Sequence, residues 1–164
     1  MRDTQAILKE VEALVAGRAT RANWLQEVCA LLASARSHYN WVGVYFLEGN
    51  ELVLGPYVGA VSPHMRIPLD KGICGAAARE KKTVIVHDVS ADPRYLACSV
   101  ETKSEMVVPI EFEGRLLGEI DIDSHFPNAF QANEQVLLEQ VAQRLAPVLA
   151  PTKSGQAREA VGRG

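Results

Sequence analysis

Four acidic side chains and two cysteines are the residues of this chain best placed to do chemistry. In Leu117-Gly118-Glu119-Ile120-Asp121-Ile122-Asp123 acids alternate with apolar residues. A strand there sends Glu119, Asp121 and Asp123 to one face and Ile120 and Ile122 to the other. Aspartate is a poor strand former, so two on one strand face ask for a function, whereas Glu119 taken alone reads as part of a solvated face. Glu105 opens the partner strand of the same hairpin. If it faces the same side, three carboxylates converge. Such a group cannot hold three full charges cheaply: one member keeps a proton, or a cation binds. This is the chemistry of an ammonium site or a general acid.

Cys98 sits in a polar loop, seven residues before Glu105. A free thiol of pKa ~8.5 is only about 3% thiolate at neutral pH, so a nucleophile there needs help, which Arg94 or Lys103 could supply. An inert, loop-packing cysteine accounts for the same pattern equally well. Cys74, in Gly72-Ile73-Cys74-Gly75, lies where a helix starts. A helix N-terminus lowers a thiol pKa, although a small residue filling a tight turn is an equal reading. As a pair, the two would serve as nucleophile and resolving thiol. Cys29 lies beside an apolar helix face and reads as a packing residue. Trp41 and Tyr45 alternate onto one strand face with Gly43 between them. Core packing is the default for such aromatics, but the same wall suits a methylthio or ammonium group. His64, His87 and His125 show no metal-ligand spacing, and no cysteine pattern suggests a zinc site.

These residues need elements to position them. Apolar spacing predicts a helix from about residue 4 to Gly17 and a second from near Thr20 carrying Trp24, Val28, Leu31, Leu32 and Ala35. From Asn40 the period changes, and two β-branched and aromatic runs around Glu48-Gly49-Asn50 predict a β-hairpin. A short extended piece at 65–68, a helix at 76–82 and a strand at 83–87 follow. The long loop SADPRYLACSVETKS then leads to strands at 105–113 and 115–124 with Gly114 at their turn. A last helix spans about 131–149, with Val136, Leu137, Val141, Leu145 and Val148 at core spacing and Pro147 disturbing its final turn. The hairpins enforce antiparallel pairing. The expected fold class is therefore α+β: an antiparallel sheet with helices packed on one face and a loop-covered ligand pocket on the other.

With 164 residues and 48% hydrophobic content, the chain makes one domain over 1–150, its N-terminal helices at 4–37 included, and a polar tail at 151–164 expected to be disordered. A formal charge of −3 without a Lys/Arg cluster argues against nucleic acid as a partner. No apolar run approaches the ~20 residues that cross a bilayer, so no membrane association is expected. The N-terminus, MRDTQAILKEVEALVAG, breaks its apolar runs with charges and is not a signal peptide, which makes a cytoplasmic location the default.

Residues 40–124 resemble the GAF-domain free methionine-(R)-sulfoxide reductases. The resemblance rests on an ordered set of motifs: Asn40-Trp41-Val42-Gly43-Val44-Tyr45, Leu54-Gly55-Pro56-Tyr57, Arg66-Ile67-Pro68, Lys71-Gly72-Ile73-Cys74-Gly75, Ala97-Cys98, Ser104-Glu105-Met106-Val107-Val108-Pro109 and Gly118-Glu119-Ile120-Asp121-Ile122-Asp123-Ser124. It implies a GAF-like fold and a cytosolic, homodimeric enzyme, without a cofactor, that reduces free methionine sulfoxide and is recycled by thioredoxin. By position, Cys98 resembles the catalytic cysteine and Cys74 a resolving cysteine. Glu105, Asp121 and Asp123 resemble the acidic substrate-binding residues, and Trp41 and Tyr45 the aromatic wall. Glu105 or Asp121 is also the candidate proton donor. Many members carry a further cysteine where this chain has His64, which leaves resolution to Cys74 or an external thiol. The alternatives are a GAF sensory module that binds a small molecule without turning it over, and a thiol redox sensor.

Overall fold

Local signals account for where most elements begin and end in the computed structural model, which describes residues 2–97 and 99–152. Helix α1 (Thr4–Gly17) opens on Asp3, whose carboxylate accepts from the Ala6 N–H at 3.2 Å. Helix α2 (Trp24–Ala35) starts later than its apolar spacing predicts. Residues 18–20 turn instead, because the Thr20 N–H and hydroxyl both bond to the Gly17 carbonyl. Strands β1 (Trp41–Glu48) and β2 (Glu51–Val58) form the expected hairpin, with Gly49 at φ 60° in its turn.

Strand β3 (Arg66–Pro68), helix α3 (Gly72–Glu80) and strand β4 (Val84–Val86) follow. The long loop contains one 3₁₀ turn at Val89–Ala91. Strands β5 (Ser104–Phe112) and β6 (Arg115–Ser124) form the second hairpin, and α4 (Ala132–Leu149) closes the described fold. A reciprocal cap between Gln131 and Glu134 starts α4, which runs on through Pro147.

All strand pairs are antiparallel, in the order β3-β2-β1-β6-β5-β4. Both edge strands have three residues, and they cover only residues 51–53 of β2 and 105–107 of β5. Pro56 and Pro109 occupy the stretches of β2 and β5 beyond that cover.

The sheet separates two cores. On one face Val42, Val44, Met106, Val108, Ile110, Ile120 and Ile122 pack against α1, α2 and α4 through residues such as Ile7, Leu32, Leu138 and Leu145. Val136 departs from expectation and is 51% exposed. The buried stripe of α4 runs through Leu137, Leu138, Val141, Ala142 and Leu145, and Val136 projects from its flank. On the other face Trp41, Tyr45, Leu52, Leu54, Ile67 and Val107 pack with Ile73, Cys74 and Ala77 of α3. Three helices thus occupy the expected face, while α3 joins the loops over the other. This helix starts at Gly72, earlier than predicted, because Gly72 takes φ 68° and lets the chain turn directly into it. Among the described residues no helix is long and apolar enough to cross a membrane.

Candidate active site

Strand register builds the site. Trp41 on β1 stands opposite Asp123 on β6, which stands opposite Glu105 on β5. The next row on the same face is Gly43, Asp121 and Val107, and the third is Tyr45, Glu119 and Pro109. The alternation expected from sequence therefore holds, and Glu105 joins Asp121 and Asp123. Glu119 does not belong to a solvated face, as its type and position suggested. It is 0% exposed, and the other three acids are buried as well. Sequence alternation gives the shared face but not the helix that covers it, and α3 is what takes Glu119 out of water.

The link entering β1 is clamped before it reaches the site. His38 Nε2 lies 2.5 Å from Glu134 Oε1 and Arg36 Nε 3.9 Å from the same oxygen, which ties the link to α4. The Trp41 indole donates to the Ala60 carbonyl at 3.0 Å and folds over Gly43. A Cβ at position 43 would come within 2.2 Å of the ring, so only glycine leaves it room. Tyr45 is fully buried and donates to the His64 carbonyl at 3.0 Å. Tyr57 is a third member of this wall that the sequence argument did not single out; it stacks on Trp41 at 5.6 Å. Its signal was its place opposite Gly43, the gap over which Trp41 lies.

Cys74 is in the first turn of α3 and reaches down to the acids, with Sγ 3.5 Å from Asp121 Oδ2 and 4.0 Å from Glu105 Oε1. The helix N-terminus was expected to lower this thiol. Burial instead pushes it well above the ordinary thiol range, and Asp121, Glu119 and Glu105 add to the rise. A thiolate there would be both desolvated and surrounded by negative charge, which outweighs a partial helix dipole.

Burial also raises all four acids. Glu105 lies well above the carboxylate range, through desolvation and then its neighbours Asp121 and Asp123. Asp121 rises only to about 6, because hydrogen bonds from Cys74 and Glu105 favour its charged form. Asp123 and Glu119 are raised chiefly by burial, offset in part by Thr102 and Cys74 respectively. Glu105 is thus raised further than Asp121, which hydrogen bonding holds nearer the carboxylate range.

Cys98 lies outside the described residues. Leu96 lines a narrow cleft with Ile73, Cys74 and Glu105. Ser99 lines a second cleft, of about 70 Å³, with Trp41, Thr102 and Asp123. His64 Nε2 lies 3.0 Å from the Ala97 carbonyl and ties the loop before β3 to this segment. Cys29 is a buried member of the helix-side core, its thiol pushed up to about 12 by desolvation. His87 and His125 are exposed.

The chain matches the GAF domain family over residues 7–149. The chain is 33% identical over 144 residues to the free methionine-R-sulfoxide reductase of Escherichia coli, an overlap of 88% of this chain and 87% of that protein. The solved structure of the Neisseria meningitidis free methionine-R-sulfoxide reductase in complex with its substrate is 31% identical, with a TM-score of 0.84 over 96% of this chain and 95% of that one. The substrate complex of the Staphylococcus aureus enzyme is 34% identical, with a TM-score of 0.83 over 92% and 97%. The chain belongs to the GAF domain family and, within it, to the free methionine-R-sulfoxide reductases.

Proposed function

We propose that this chain reduces free methionine-(R)-sulfoxide through thiol chemistry. The observation that carries the reading is the buried row of carboxylates beneath Cys74, flanked by an aromatic wall, in a chain whose relatives are named for that activity. Charged Asp121, with Asp123, holds the substrate ammonium, and the Trp41 and Tyr45 rings take its S-methyl end by sulfur–aromatic contact. Glu105, which keeps its proton, donates to the sulfoxide oxygen.

The Cys98 thiolate attacks the sulfur. The oxygen passes to Cys98 as a sulfenic acid and the sulfur leaves as the thioether of methionine. The Cys74 thiol then attacks the Cys98 sulfenic sulfur. Its proton moves to Asp121, 3.5 Å away, and on to the departing hydroxide, giving a disulfide and water. A dithiol reductant, thioredoxin in this reading, restores both thiols by exchange. Thioredoxin, a homodimeric assembly and a cytoplasmic setting rest on the family resemblance.

Cys98→Ser is expected to abolish consumption of free methionine-(R)-sulfoxide while leaving the far-UV circular dichroism unchanged. Sulfoxide consumption by that folded variant would remove the mechanism. Cys74→Ser is expected to spare a single turnover but block recycling by thioredoxin, and full steady-state turnover would remove its role as resolver.

A further inference from the structure

The acids and the thiol do more together than a substrate ammonium requires. We propose that Cys74, Glu105 and Asp121 form a binding site for a borderline-soft divalent cation of the Zn²⁺ class, which enters the pocket in place of an organic ammonium and blocks it. Ligand atoms from these residues all lie within 4.8 Å of one another, and all three residues are buried. Tetrahedral Zn²⁺, with Zn–S of about 2.3 Å and Zn–O of about 2.1 Å, sets neighbouring sulfur and oxygen ligands about 3.6 Å apart. The observed separation from Cys74 Sγ to Asp121 Oδ2 is 3.5 Å, and that to Glu105 Oε1 is 4.0 Å. Small side-chain rotations close the difference.

A second observation points to a cation independently of the cluster. Glu119 is 0% exposed, and among the described residues neither of its oxygens has a hydrogen-bond partner. One oxygen each of Asp121 and Asp123 is buried and unpartnered in the same way. Buried acceptors without donors are costly, and a cation at Cys74 would meet that lack directly. The mixed donor set chooses the metal. Ca²⁺ and Mg²⁺ take six or more oxygens and shun sulfur, whereas one thiolate and two carboxylates suit Zn²⁺ and leave its fourth position open. Sequence spacing gave no hint of this because the ligands come from α3, β5 and β6. The cleft past Gly72 and Leu96 reaches Cys74 and Glu105 from outside.

The metal site does not depend on the reductase reading; only its competition with substrate does. The test is anaerobic titration of the reduced full-length chain with Co²⁺, followed by Zn²⁺. A near-ultraviolet thiolate-to-cobalt band with visible bands of a four-coordinate site is expected, and Zn²⁺ should erase both. Cys74→Ser should lose the near-ultraviolet band although Cys29 and Cys98 remain. Asp121→Asn should keep the band and weaken Co²⁺ binding by more than about tenfold, the loss already typical of an outer-shell partner. No band at millimolar Co²⁺, or a band that survives in Cys74→Ser, overturns the site. If Cys74→Ser does not fold, unchanged affinity in Asp121→Asn overturns it instead. Free methionine should raise the apparent Co²⁺ dissociation constant. A cobalt band indifferent to methionine would leave the metal site standing and refute the shared location.

Discussion

The two faces of the sheet bury thiols to opposite ends. Cys29 sits among aliphatic side chains on the buried side of α2, its proton held by desolvation, and its thiol donates to the Pro56 carbonyl at 3.5 Å. Cys74 is buried as deeply on the other face, but its thiol meets Asp121 and Glu105, groups that accept protons and bind cations. Low exposure therefore separates neither a reactive from an inert cysteine nor a site from a core. The partners beneath the sulfur make that distinction.

The comparison breaks most sharply at Asp121. Asp121→Asn keeps the shape but removes the charge that, in the proposed mechanism, receives both the substrate ammonium and the Cys74 proton. Turnover of free methionine-(R)-sulfoxide is expected to fall by about a hundredfold or more, the scale of losing one electrostatic partner in a preorganised site. Near-normal turnover would put the substrate elsewhere. On the helix face, Leu138→Ala removes a fully buried side chain and is expected to cost about 2–5 kcal/mol in denaturant unfolding, with turnover intact in the folded fraction. Loss of activity without loss of stability would mean that the faces are not separate in role.

The pH dependence sharpens the contrast. Because burial raises the site acids, the native state keeps protons that the unfolded chain has lost above about pH 4. Stability therefore falls as pH rises, through about 6 for Asp121 and further for Glu105, Glu119 and Asp123. The Asp121 rise alone corresponds to a loss on the order of 1–3 kcal/mol. The midpoint of thermal unfolding should be higher at pH 5 than at pH 8, and Glu119→Gln should flatten the slope. A midpoint that climbs with pH would show these acids to be stabilised as anions. The smallest effect is expected at Cys29→Ala, about 1 kcal/mol of stability with thiol-dependent turnover unchanged.

Much of this was legible before any coordinates. Alternation in β6 places Asp121 and Asp123 on one face whatever surrounds them, and the Gly114 turn fixes the hairpin that brings Glu105 alongside. Covering is what one-dimensional pattern does not carry. Glu119 has the same alternation as its neighbours, and only α3, packed across the sheet from a distant part of the chain, takes it out of water. The Cys74 environment was misjudged for the same reason. Its helix start is local and visible, while the burial that dominates its proton affinity, and the three acids that add to it, come from strands distant in sequence. Tyr57 shows the limit from another side: its partner Gly43 was noticed, but stacking on Trp41 depends on strand register.

The brevity of β3 and β4 has a consequence for how the protein behaves at high concentration. Each offers a visiting strand only three residues to pair with, and the uncovered parts of β2 and β5 contain Pro56 and Pro109, which lack an N–H to donate. A sheet finished in this way gives little foothold for end-on fibrillar growth. The narrow cleft over Cys74 opens beside one of these rims, with Ile67 of β3 in its lining.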